Sequence, residues 1–193
     1  MRTLYFGWCF FLMIGSVLGN DFGTNDLKIV TRKEWQAKDP VTTMKPHELK
    51  FITIHHTATK QKPGVSAALK LQHLQAFSQR EDTLSSGKKK PIWPDVPYHF
   101  YVTCDGEIGE GRDIHFVGDT NTEYDPTGHI LVTLEGNFEV EEPTKEQMKA
   151  AKNLVAWLAE KYKIPADHIK SHKDYAKTAC PGKNLYGRLG ELR

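Results

Sequence analysis

Cysteine is scarce in this chain, and the scarcity removes several fold classes. Only three occur in 193 residues, too few for a scaffold built from disulfides, so folding has to rest on a buried core. A surplus of one charge is also missing. Lysine and arginine number 26 against 24 acidic residues, a formal net charge of +2. No nucleic-acid partner is expected from that balance, because such binding rests on a basic excess. The one basic triplet, Lys88, Lys89 and Lys90, follows Ser85, Ser86 and Gly87 and reads as a solvated loop. Internal repeats and low-complexity linkers are absent as well, which leaves one domain as the simplest organisation.

Long hydrophobic runs are absent except at the N-terminus. There Met1 and Arg2 precede "LYFGWCFFLMIGSVLG", which closes on small residues, the pattern of a secretory signal peptide. The run is shorter than the ~20 residues of a spanning helix, and "FGW" ahead of Cys9 is no lipoprotein signal. The expectation is a leader at residues 1–19 and a domain at 20–193, secreted or periplasmic, with no stable membrane anchor after cleavage. The 174 residues that remain suffice for one domain with a hydrophobic core. They keep Cys104 and Cys180, and an even pair in an oxidising compartment suggests a disulfide.

Strand and helix signals interleave. Residues 50–56 ("KFITIHH"), 97–103 ("PYHFYVT") and 129–138 ("HILVTLEGNF") are β-branched and aromatic and read as strands. Asp105-Gly106 predicts a turn, with "EIGEG" as the returning strand. From Gly64 to about Arg80, Ala67, Leu71, Leu74 and Phe77 recur near helical spacing. From Thr144 to about Tyr162, the residues Met148, Ala151, Val155, Leu158 and Tyr162 mark one apolar face, and Thr144 with Gln147 stands in the capping-box relation. A short helix is expected near Asn184, and residues 81–97 read as a long exposed loop. Together these predict an α/β fold, a central mixed β-sheet flanked by helices.

Nine histidines offer the richest chemistry. His47, His73 and His168 have no distinctive neighbours. His55 and His56 stand where an apolar strand ends in "HHTA", a rigid place to hold a ligand. His172 precedes Cys180 by eight residues in "IKSHKDYAKTACPG". Zinc takes neutral imidazole and thiolate, and a catalytic zinc keeps three protein ligands with a fourth position open. One ligand on a strand end and two from a return loop compose such a set. The spacing lacks the tight CxxC or HExxH signature, however. On the residues alone, a zinc site and a Cys104–Cys180 disulfide both stay open.

Five stretches, "FITIHHTA", "WPDVPYHFYV", "GEIGEGRD", "LEGNF" and "SHKDYAKTACPG", occur in the order found in the type 2 N-acetylmuramoyl-L-alanine amidases, a family that includes the peptidoglycan recognition proteins. The chain resembles that family from about Ile29 to Tyr186. The resemblance implies a zinc ion (Zn2+) held by His55, His172 and Cys180, and a peptidoglycan or muropeptide substrate. It also implies that Tyr98 contacts the attacking water or the substrate carbonyl, and that Thr178 assists as a second donor or orienting group. Recognition-only members commonly carry serine where this chain has Cys180, so an enzyme is expected, with a non-catalytic peptidoglycan receptor on the same fold as the alternative. An immunity or regulatory partner is not readable.

Two departures bear on mechanism. Cytoplasmic members carry a glutamate where this chain has Thr133. Glu135, two residues on, is expected on the same strand face but is not assigned as a base. After Arg112 stands Asp113-Ile114 where diaminopimelate-selecting members often have Gly-Trp, which leaves the stem-peptide preference open.

Overall fold

The computed structural model describes residues 27–83 and 87–193; the expected leader at 1–19 lies outside them. Six strands form one sheet in the order β1-β6-β5-β7-β2-β8. These are β1 (Ile29–Val30), β2 (Phe51–His56), β5 (Phe100–Val102), β6 (Ile108–Glu110), β7 (His129–Leu134) and β8 (Ile169–Ser171). Neighbours run parallel except β5 and β6. That pair is joined by the Asp105-Gly106 turn, where Gly106 at φ +85° takes a conformation few other residues tolerate. The mixed sheet expected from the sequence is present.

Alternation along the strands divides the sheet into two different faces. Ile52 and Ile54 of β2, Phe100 and Val102 of β5, and Ile130, Val132 and Leu134 of β7 point into the main core. α2 (Lys145–Tyr162) closes that core with Met148, Ala151, Leu154, Val155 and Leu158, all buried. Thr144 is its N-cap and accepts from the Gln147 amide at 3.0 Å. The expected capping box is only half formed, because the Gln147 side chain donates instead to the Val102 and Glu135 carbonyls, each at 3.0 Å.

On the opposite face α1 (Ala67–Ser78) packs over β5 and β6, where Trp35, Leu71, Val96 and Tyr101 form a second, smaller core. Gly109 permits the close approach, since a Cβ there would lie 2.4 Å from Leu71 Cδ1. α1 buries polar groups too. Gln75 Nε2 donates to Asp95 at 2.8 Å, and Lys70 pairs with Glu135 at 2.6 Å. Over β7 and β2 the cover on this face comes from loops, residues 119–125 and 172–180.

Two expectations need correction. Residues 81–97 are no simple exposed loop, because β3 (Asp82–Thr83) pairs with β4 (Lys89–Lys90) and Asp95 and Val96 are fully buried. Nor is Lys90 solvated. Its ammonium donates to the carbonyls of Ser78, Arg80 and Pro91, closing the C-terminal end of α1. α3 (Lys183–Tyr186) stands where the short last helix was expected.

Candidate metal centre

His55 is the penultimate residue of β2 and points to the face opposite Ile54. His172 opens a single 3-10 turn directly after β8, the strand beside β2. Cys180 lies farther along the same return loop, ahead of Pro181 and Gly182. Their candidate ligand atoms all fall within 4.8 Å of one another. Cys180 Sγ is 3.7 Å from His55 Nδ1. Two ligands of a tetrahedral zinc, at about 2.3 Å for sulfur and about 2.05 Å for nitrogen, stand roughly 3.6 Å apart. The donor set and its spacing therefore fit zinc. His55 Nε2 is buried without a hydrogen-bond partner among the described residues.

The two uses of Cys180 left open by the sequence separate here. Cys104 and Cys180 are both free thiols. Cys104 is buried beside Glu135, which accepts from its amide at 2.9 Å, whereas Cys180 Sγ accepts from the His56 amide at 3.4 Å.

Burial shapes the protonation of all three groups. It holds the His55 imidazole well below its ordinary range, with His172 as the largest electrostatic contributor, and lowers His172 to about 4. Both rings are thus neutral near pH 7, as ligation requires. The Cys180 thiol is pushed up to about 12 by burial, against the opposing effect of the His56 amide. A metal must displace that proton.

The other residues singled out by the sequence have defined positions. The Tyr98 ring lies 5.3 Å from the His55 ring. Thr178 Oγ1 accepts from the Cys180 amide at 3.2 Å, so it orients the return loop. His56 points to the other side of the sheet, where its Nδ1 accepts from the Phe138 amide at 3.3 Å. His99 is a bridge, with its two ring nitrogens on Phe116 O and the Leu131 amide. Glu135 is bound to Lys70 and to the amides of Lys62 and Cys104, so it is committed to the structure. His47 and His168 do have defined partners, on Ile114 O and Lys50 O.

A family model described as N-acetylmuramoyl-L-alanine amidase matches residues 45–183, a span that takes in all three convergent side chains. The chain belongs to that amidase family. Peptidoglycan-recognition protein SC2 of Drosophila melanogaster is 27% identical over 164 residues, covering 83% of this chain and 84% of that protein. Among solved structures, the N-acetylmuramoyl-L-alanine amidase LysC from Clostridium intestinale matches with a TM-score of 0.65 and 27% identity, over 84% of this chain and 94% of that one. Peptidoglycan recognition protein LE, a Drosophila melanogaster protein, was solved in complex with tracheal cytotoxin, a monomeric diaminopimelic acid-type peptidoglycan. It matches with a TM-score of 0.68 and 30% identity, over 83% and 91% of the two chains.

Within this amidase fold, sequence reasoning missed the loop "DTNTEYD", residues 119–125. Thr122 Oγ1 lies 2.7 Å from His172 Nε2, and the Tyr124 ring lies 5.2 Å from the His172 ring. His129 was missed too. Its Nδ1 is 2.7 Å from Thr53 Oγ1 on the same sheet face. The available signal was the alternation of Thr120, Thr122 and Tyr124, three hydroxyl-bearing residues between two strands.

Proposed function

We propose that this chain is a zinc-dependent N-acetylmuramoyl-L-alanine amidase, made with a cleaved leader at 1–19 and working through its domain at 20–193 outside the cytoplasmic membrane. Its substrate is peptidoglycan or a muropeptide, cut at the amide between the lactyl group of N-acetylmuramic acid and the L-alanine of the stem. One observation carries the reading: His55, His172 and Cys180, far apart in the chain, offer ligand atoms within 4.8 Å. These three residues would hold the ion. Zinc there supplies Lewis acidity toward the scissile carbonyl and makes water a usable nucleophile at neutral pH.

The chain's own groups do the rest. Burial and the nearby Cys180 raise the Tyr98 phenol above its ordinary range, so it keeps its proton and can donate to oxygen as charge develops there. Thr178 holds the Cys180 backbone through its hydroxyl. Neutral His55 and His172 need lose no cationic proton before ligation.

The test is zinc content together with release of L-alanine-terminated peptides from peptidoglycan. Cys180→Ser is expected to lose turnover while keeping its circular dichroism, since a ligand is removed and not a core side chain. Wild-type turnover in that variant would sink the zinc assignment. A wild-type protein that binds muropeptide, holds no zinc and releases no peptide would instead be a receptor on this fold. That second reading draws its support from the recognition proteins among its relatives.

A further inference from the structure

The loop of residues 119–125 supplies no member of the ligand set, yet it grips one. His172 Nε2 lies 2.7 Å from Thr122 Oγ1 and 3.3 Å from Thr120 Oγ1. The two hydroxyl oxygens are 2.9 Å apart, and the Thr122 amide donates to Thr120 Oγ1 at 3.3 Å. A neutral imidazole carries one proton, and the partner of one nitrogen decides which nitrogen is left with a lone pair. Threonine can accept one hydrogen bond while donating another. If Nε2–H donates to Thr122 Oγ1, the Thr122 hydroxyl donates in turn to Thr120 Oγ1, and Nδ1 is left free to ligate.

The loop is well placed to impose this. Arg112, 2% exposed, pairs with Asp119 and donates from Nε to Val96 O at 2.9 Å. The Asp119 amide donates to Pro97 O at 3.1 Å. The hydroxyl pair is thereby pinned to the segment that leads into Tyr98.

We propose that Thr122 is a positioning residue, which holds His172 in the Nε2–H tautomer and makes Nδ1 its metal-binding nitrogen. The proposal rests on the amidase reading for the metal, but its effect on the ring can be measured without one. Long-range 15N correlation spectra of the metal-free full-length protein report the tautomer, and competition against a chromophoric chelator reports zinc affinity. Wild type and Thr122→Ser are expected to show Nε2–H. Thr122→Val is expected to lose that preference and to bind zinc about 10–100-fold more weakly, the usual effect of removing an outer-shell partner, with unchanged circular dichroism. An unaltered tautomer and affinity in Thr122→Val would overturn the proposal. If the tautomer responds as expected but even wild type takes up no zinc, the amidase reading fails while the hold of Thr122 on the ring stands.

Discussion

Burial and Cys180 raise the Tyr98 phenol above its ordinary range, so in the proposed amidase reaction it would act through a hydrogen bond rather than a charge. Removing one such donor typically lowers kcat by about 10²–10³. Tyr98→Phe is therefore expected to reduce kcat far more than it changes KM, because the bond strengthens as the oxyanion forms. Steady-state kinetics on a soluble muropeptide check this, and an unchanged kcat would remove Tyr98 from the chemistry. The candidate ligands make a separate prediction. With His172 at about 4 and Cys180 at about 12, the metal-free site at neutral pH carries one proton that zinc must expel, the one on sulfur. Apparent zinc affinity should therefore rise about tenfold per pH unit between about pH 6 and 8. A pH-independent affinity in chelator competition would count against thiolate ligation.

The return loop that carries Cys180 depends on a glycine just beyond it. Gly182 sits at φ +88°, and a Cβ there would lie 2.4 Å from the Phe138 carbonyl carbon and 2.7 Å from the Glu139 nitrogen. Both obstacles are backbone, so the loop itself would have to move. Gly182→Ala is expected to cost about 1–3 kcal/mol from the backbone region alone, with more from the clash, and to weaken zinc binding by displacing Cys180. Urea denaturation with and without zinc measures both effects. The caps and alternations of β2 and α2 were readable because they depend on residues one to four positions apart. Lys90 and Glu135 were not, because their partners lie on other elements: Ser78 and Arg80 at the end of α1 for the first, Lys70 within α1 for the second.

Across the whole molecule, histidine burial ties stability to pH. Burial lowers His56, His129 and His172 to about 4 and His99 to about 3, from an ordinary value of 6.5. Below about pH 6.5 the unfolded chain takes up protons that the folded chain refuses, so acid favours unfolding. The stability these rings contribute is complete above that pH and is lost progressively as pH falls toward about 4. Denaturation midpoints of the metal-free protein should fall steeply between pH 7 and 4.5, and a flat profile would contradict the burial of these rings.

Local chemistry in the sequence determined the strand cores, α2 with its Thr144 cap, the glycine turn between β5 and β6, and, through resemblance, the three ligand candidates. Alternation also required His55 and His56 to point to opposite faces. It could not say which face would be the site. That was decided when α2, about ninety residues later in the chain, closed over Ile52 and Ile54 and left His55 facing the loops that bring His172 and Cys180. The same long-range packing set Cys180 beside His55, 125 residues away, rather than beside Cys104, and brought Thr122 to His172. A strand's period is a property of neighbouring residues, whereas the identity of what covers each face belongs to the packed molecule.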